Sequence, residues 1–158
     1  MGYHDEKTED TDSPFKSTEK LCSSIRLGDF LLLQGRPCQV IKISRPSGTG
    51  QYRYLGADVL SQQLHEESSF TSTSESEQAA RVLDFMSWPI LDIGDGVATA
   101  MNETGDVKQD VRVNDNGNLL SRLRRAVESG RGKIYGLVLH DKGQDLIVEM
   151  KVEYGEGN

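Results

Sequence analysis

The pattern of apolar and polar positions divides the chain into two strand-rich blocks separated by a polar stretch. In the first block, the apolar run Phe30–Leu33 and the alternating run Cys38–Ser44 flank a turn marked by Gly35, which predicts a β-hairpin. Two further runs, around residues 52–60 and 62–70, add two strands. Four short strands within about 50 residues predict a small barrel or a tight sandwich.

The second block alternates strands with one helix. Strands are predicted at about 81–87, 97–102, 107–113, 133–141 and 145–153. Five strands with a single helix after the third follow the order of an oligonucleotide-binding (OB) barrel. This order indicates a fold and not an activity, because such barrels serve many functions.

The helix in this block has the clearest pattern. Apolar residues between Leu119 and Val127 recur on one helical face, which predicts a helix over 119–129. The Asn118 side chain is expected to cap its start, and Gly130 is expected to close its end.

Composition marks two polar stretches between and before these blocks. Residues 1–20 carry six acidic side chains and almost no aliphatic ones, so they are predicted to form a disordered acidic tail. Residues 71–80, TSTSESEQAA, have the composition of a linker. The predicted domains are therefore 21–78 and 79–158.

Charge and composition narrow the class of protein. A net charge of −7 and an acidic total disfavour a general nucleic-acid binder, which needs a basic face. No apolar run approaches the roughly 20 residues of a membrane span. Cys22 and Cys38 are the two cysteines, and with no signal peptide they indicate a soluble protein of a reducing compartment. Cys38 is expected to be buried and unpaired.

Candidate catalytic and ligand-binding residues do not form a recognisable set. His4, His65 and His140 lack the spacing of a zinc site. No serine lies in a G-x-S-x-G context. Glu66 and Glu67 are neighbours on a strand and therefore face opposite sides. No catalytic residue, cofactor or metal is predicted.

Several motifs resemble a known family. The segments GRPCQVIKIS, at Gly35–Ser44, and YRYLGADV, at Tyr52–Val59, are similar to translation initiation factor 5A. The likeness is closer to the Woronin-body hexagonal-crystal proteins of filamentous fungi, through QLHEESSF, ETGDVKQ and ESGRG as well, and it covers about Ile25 to Val152. The resemblance implies a mainly all-β fold with an SH3-like barrel followed by an OB barrel. It also implies a structural protein that self-assembles into a dense core and plugs septal pores.

The tip between the third and fourth strands departs from the translation factor, where the resemblance places a lysine that becomes hypusine. This chain has no lysine between Lys42 and Lys108. A guanidinium cannot replace a primary amine as the modified group. The tip is predicted to be a plain connecting loop, since a phosphate-binding alternative lacks the Gly-Lys-Ser/Thr ending. The residues that stand in place of the hypusine loop are Arg45, Pro46, Ser47, Gly48, Thr49 and Gly50.

Two regions are candidates for self-association. The resemblance places histidines of lattice contacts just before IRLGD, where this chain has serines that cannot titrate. The cation-rich helix region suits a solvated face, an Arg-rich protein contact or an RNA contact, and the acidic total favours a protein. The candidate residues are Ser23, Ser24, Arg26, Arg122, Arg124 and Arg125.

The leading hypothesis is a non-enzymatic structural protein whose partner is itself or a lattice-forming relative. One alternative is a ribosome- or RNA-binding protein that works without hypusine, and another is a soluble paralogue that does not assemble. The sequence YGEGN at the end is not a peroxisomal tripeptide, which predicts a cytoplasmic protein, with a peroxisome-derived Woronin body as the alternative.

Overall fold

A computed structural model describes residues 13–45, 47, 50–115 and 117–155 and divides the chain into two compact units. Unit 1 ends at Asp84, and unit 2 begins at Phe85. Each unit is built from β-strands, and the described residues contain one α-helix. The predicted all-β fold class, an SH3-like barrel followed by an OB barrel, is confirmed. No described helix has the length and apolar content needed to cross a membrane.

Unit 1 is one sheet that curls around an apolar core. Its strands run in the order β1-β7-β2-β3-β4-β5, and β6 pairs with β7. Leu31, Val40 and Tyr54 are among the side chains that fill the core. The strands are β1 (Ser17–Leu21), β2 (Phe30–Leu33), β3 (Arg36–Ser44), β4 (Arg53–Asp58), β5 (Leu64–Ser68), β6 (Phe70–Thr71) and β7 (Gln78–Leu83).

The predicted hairpin of unit 1 is formed by β2 and β3. Leu33 lies opposite Arg36, so the turn between them has two residues. Both turn residues, Gln34 and Gly35, have positive φ angles of 53° and 77°. Two-residue turns of this kind match the right-handed twist of the strands, which explains the glycine at this point.

Unit 2 is a closed barrel in the order β10-β12-β11-β8-β9. Parallel pairing of β10 with β12 closes it, and the helix α1 covers the core through Leu119 and Leu123, both fully buried. This is the predicted OB order. The elements are β8 (Met86–Ile93), β9 (Val97–Met101), β10 (Val107–Val113), α1 (Leu119–Ser129), β11 (Gly132–Asp141) and β12 (Gln144–Tyr154).

The helix has the predicted bounds but a different cap at its start. Gly130 closes it with a φ of 64°, as predicted. The Asn118 side chain caps no backbone N–H and instead accepts a hydrogen bond from Arg122 Nε at 3.1 Å. Asp115 Oδ1 accepts the Leu120 N–H at 2.9 Å. Asp115 therefore caps the start of the helix, which was the role predicted for Asn118.

Three predicted boundaries differ from the structure. Residues 17–21 form β1, although 1–20 were predicted to be a tail; of that tail, residues 1–12 lie outside the described residues. Residues 78–83 form β7 of unit 1, in place of a linker and the start of the second domain. Unit 2 consequently begins with a strand at 86–93 instead of 81–87. The polar composition of these stretches concealed strands that are held by backbone pairing with distant neighbours.

Candidate interaction surfaces

The tip between β3 and β4 carries one cation, which is held against the barrel. The Arg45 guanidinium lies 5.7 Å from the centre of the Tyr52 ring, within cation–π range. Tyr52 in turn stacks on Tyr54, with ring centres 6.4 Å apart and planes 7° from parallel. Ser47 and Gly50 are exposed. The other tip residues of the sequence prediction, Pro46, Gly48 and Thr49, lie outside the described residues.

Lys42 is the nearest lysine before the tip, and the structure places it within β3. Its side chain is exposed, and it pairs with Leu55 of β4 beside an irregularity in the register between Val40 and Lys42. The primary amine therefore projects from the flank of the hairpin and not from its end.

The base of the tip is tied to the rest of unit 1 by a serine that the sequence did not single out. Ser69 is 2% exposed, and its Oγ accepts the Tyr52 N–H at 2.9 Å. The same Oγ donates to Gln78 Oε1, and the Ser69 carbonyl accepts from Gln51 Nε2. The sequence gives no signal for such a buried serine, because its hydrogen-bond partners come from the segment before β4 and from β7.

The predicted contact residues before β2 lie in an exposed turn. Cys22–Ser24 form one turn of 3-10 helix, in which Ser23 and Ser24 are exposed. Ser24 Oγ donates to the Leu21 carbonyl at 2.8 Å. The Arg26 side chain is exposed, and no described residue accepts a hydrogen bond from its guanidinium. The exposed Leu27 follows it directly, so a cation and an apolar side chain are presented together.

The three predicted arginines of α1 do not act as one patch. Arg122 Nη2 lies 2.9 Å from Glu149 Oε1 on β12, and Arg124 Nη2 donates to the Gly94 carbonyl at 2.8 Å. Both therefore bind within their own unit. Arg125 is exposed and makes no hydrogen bond or ion pair with the described residues. Of this group, Arg125 is the cation that remains available for a partner.

The buried ion pair of unit 1 was not predicted from the sequence. Asp58 is 1% exposed, and its Oδ2 lies 2.6 Å from Arg36 Nε. Its Oδ1 accepts backbone N–H groups of Leu60 and Ser61. Burial alone would raise the pKa of Asp58, but the hydrogen bonds from Arg36 and the two N–H groups outweigh burial and lower it. The Arg36 guanidinium also covers the Phe15 ring at 5.6 Å.

Two free cysteines lie in the same core cluster of unit 1 as Tyr54. Burial, and then the charge of Asp58, raise the pKa of Cys38 to about 12. Burial, and then the Cys22 thiol, raise the pKa of Tyr54. The Tyr54 hydroxyl lies beside that thiol but makes no hydrogen bond of normal geometry with a described residue. The predicted burial of Cys38 is confirmed, and all these groups are core residues.

The described histidines form two separate pairs. His65 Nε2 lies 4.0 Å from Asp58 Oδ2, and His140 Nδ1 lies 2.9 Å from Asp145 Oδ1. His4 lies outside the described residues. Within the described ranges, no three His, Cys, Asp or Glu side chains are grouped to hold a metal. Among the described residues, the resolved pKa shifts belong to side chains that are packed in the core of unit 1.

Comparison with known proteins identifies close relatives. The chain is 50% identical over 137 residues to the Woronin body major protein of Neurospora crassa, covering 85% of this chain and 78% of that protein. It is 47% identical to the Woronin body major protein hexA of Aspergillus fumigatus, covering 85% of this chain and 26% of that much longer protein. No protein-family model matches the sequence.

Similarity to the translation factors is weaker. The chain is 28% identical over 157 residues to eukaryotic translation initiation factor 5A of Drosophila melanogaster, covering 96% of each. Among solved structures, a translation initiation factor 5A family protein from Naegleria fowleri superposes with a TM-score of 0.46 at 16% identity, covering 86% of this chain and 99% of that one. Identity of 50% across more than three quarters of the Neurospora protein decides the assignment: this chain belongs to the Woronin body major protein family.

Proposed function

We propose that this chain is a non-enzymatic structural protein that associates with copies of itself and forms the core of a Woronin body. The observation that carries the proposal is its 50% identity with a Woronin body major protein over most of both chains. The titratable groups whose pKa values are shifted also support the proposal, because Asp58, Cys38 and Tyr54 are buried in the core of unit 1 and are not exposed at its surface.

The chain works without hypusine in this proposal. Two observations support this: the sequence has no lysine between Lys42 and Lys108, and Arg45 at the tip is turned onto the Tyr52 ring. Co-expression with the hypusine-forming enzymes should leave the intact mass unchanged, whereas a translation factor 5A expressed in parallel gains the modification. A mass gain on this chain would overturn the idea.

The contact residues proposed for self-association are Ser23, Ser24, Arg26 and Arg125. All four side chains are exposed, and the two arginines have no described partner. Cations that are free in one copy can bind acidic groups of the next, and an overall charge of −7 supplies many of them. A contact between two different patches continues from copy to copy and can build an open lattice.

Sedimentation of the purified protein tests self-association directly. The fraction that pellets should rise with protein concentration and fall with added salt, because exposed ion pairs are screened. A protein that remains a monomer in sedimentation equilibrium at high concentration and low salt would end the proposal.

A second candidate is a paralogue that no longer assembles alone but joins a lattice built by a relative. The observation in its favour is that Ser23 and Ser24, which cannot titrate, stand where the resemblance places histidines, and the Ser24 hydroxyl donates to the Leu21 carbonyl of the same chain. This candidate predicts that the chain pellets only when mixed with the Neurospora relative. Imaging of a tagged chain in fungal hyphae would show whether it resides in the Woronin body or in the cytoplasm.

A further inference from the structure

The first strand of unit 1 is an edge strand held mainly by its backbone. β1 pairs with β7 at five register positions, from Ser17 opposite Leu83 to Leu21 opposite Ala79. Its three central side chains, from Thr18 to Lys20, are exposed. The strand therefore adds hydrogen bonds to β7 but buries little apolar area at its centre, as in peptides that add a strand to a sheet edge.

The segment before β1 ends in an aromatic anchor. Phe15 is 4% exposed and lies under the Arg36 guanidinium. Arg36 is fixed by Asp58 at 2.6 Å, so the polar wall of this socket comes from β3 and β4. We call residues 13–21 the strap. The socket is formed by residues outside the strap, so a strap from another molecule fits it equally well.

The strap joins the rest of unit 1 through the single 3-10 turn Cys22–Ser24. Cys22 and Ile25, on either side of the two exposed serines, are buried. β7 lies between β1 and β2, so the chain crosses the end of β7 at this turn. Domain swapping exchanges an identical element between copies, and a short hinge loop such as this crossing favours it.

We propose that the strap is exchanged between copies of this chain: residues 13–21 of one copy pair with β7 of a second and place Phe15 under its Arg36. Each contact is the same within a chain and between chains, so exchange forfeits none of them. The ratio of exchanged to unexchanged straps then depends on the protein concentration relative to the effective concentration of the strap tethered in its own chain. That effective concentration is on the order of mM for short connections.

The inference rests on the proposed function, because the high protein concentration of a dense core would favour exchange between copies. A solution of about 1 mM of this 17.5 kDa chain contains about 17.5 g per litre, far below the density of packed protein. In a dense core, the neighbouring copies therefore outcompete the tethered strap. Exchanged straps would link the copies through backbone hydrogen bonds in addition to surface contacts.

Directly opposed residues on β1 and β7 provide the test. Thr18 lies opposite Val82, and opposed residues of antiparallel strands are close enough for a disulfide. A tagged Thr18→Cys chain is mixed with an untagged Val82→Cys chain from 10 μM upward through the mM range, at about tenfold steps. Mild oxidation traps pairs, and mass spectrometry counts the mixed disulfide. The double variant Thr18→Cys/Val82→Cys, oxidised when dilute, confirms that the geometry permits the bond within one chain.

The expected result is a mixed disulfide whose ratio to uncrosslinked chain rises about tenfold for each tenfold increase in concentration, until it saturates in the mM range. The Thr18→Cys chain mixed with a Gln109→Cys chain is the collision control, because Gln109 is exposed on β10 of unit 2. A mixed product no greater than this control, while the double variant closes within one chain, overturns strap exchange.

The proposed function is tested in a separate experiment, in which the wild-type protein is sedimented without oxidant. Pellets without the mixed disulfide would leave self-association standing and remove the exchange. A mixed disulfide without pellets would leave the exchange standing and remove the self-assembling core.

Discussion

Arg36 and Asp58 form an ion pair at the edge of the unit 1 core, with 2.6 Å between Nε and Oδ2. Asp58 is almost completely buried, whereas the Arg36 side chain is 36% exposed and covers Phe15. A buried carboxylate is costly unless it is paired and fully hydrogen-bonded, and here its partners come from Arg36 and from backbone N–H groups. The pair therefore connects β3, β4 and the strap.

Replacing the carboxylate should destabilise unit 1. Asp58→Ala leaves the Arg36 guanidinium and the Leu60 and Ser61 N–H groups without their acceptor, and the expected loss in free energy of unfolding is about 3 kcal/mol. Urea unfolding followed by far-UV circular dichroism measures it. Arg53→Gln is the matched control, since the Arg53–Glu66 pair is about half exposed and should cost less than about 1 kcal/mol. Equal losses would contradict the importance of burial.

The same pair predicts a dependence of stability on pH. The pKa of Asp58 is lowered by folding from an ordinary value of 3.8, so its contribution is fully present above that value. The contribution is lost as the pH falls below 3.8 towards the folded pKa. In urea titrations between pH 6 and 3, about half a unit apart, wild type should lose more stability than Asp58→Asn, which cannot ionise. Parallel curves for the two proteins would contradict this role.

The sequence revealed elements whose signal is local. The helix at 119–129 was predicted to the residue because its apolar face repeats over several turns and Gly130 ends it. β1 and β7 were missed because their stability comes from pairing with each other. The buried side chains of β7 include the small residues Ala79 and Ala80, which give a weak strand pattern beside a run of Ser and Glu.

The candidate surfaces were predictable only as residue types. The sequence grouped Arg122, Arg124 and Arg125 as one patch, but the acceptors of the first two come from a distant strand and a loop carbonyl. Asp58 was overlooked for the same reason, since its partner Arg36 lies 22 residues away. Pairings between residues distant in sequence decide which charges are buried, bound or free.

Gly56 should not tolerate even a methyl group. A Cβ at this position would lie 2.8 Å from Leu33 Cδ1 and 2.9 Å from Cys38 Cβ, closer than packed atoms approach. Gly56→Ala is therefore expected to lower the free energy of unfolding by about 1–3 kcal/mol, as for other overpacked cores. Gly94→Ala is the control, since its Cβ would be 4.0 Å from the Val97 carbonyl, and it should change stability by less than about 0.5 kcal/mol.

Replacement of Arg122 should affect stability, whereas replacement of Arg125 should affect association. Arg122→Ala removes the bond to Glu149 and is expected to cost about 1 kcal/mol of stability, with little direct effect on association. Arg125→Ala should leave stability within about 0.5 kcal/mol and reduce the pelleted fraction at low salt. Thermal unfolding and sedimentation of both variants measure the two effects. An unchanged pelleted fraction for Arg125→Ala would remove this residue from the proposed contacts.

Thiol reactivity should report whether the unit 1 core is sealed. Cys22 and Cys38 are 3% and 0% exposed, and both are free. The thiolate is the reactive form, and with a pKa of about 12 the Cys38 thiol is ionised in only about one molecule in 10,000 at pH 8. A chromogenic disulfide reagent should therefore modify neither thiol of the native protein within minutes and both in denaturant. Thr18→Cys provides the control, because its exposed thiol should react at once under native conditions. Rapid modification of Cys22 in the native wild-type protein would mean that the core opens readily around the 3-10 turn, where the strap joins unit 1.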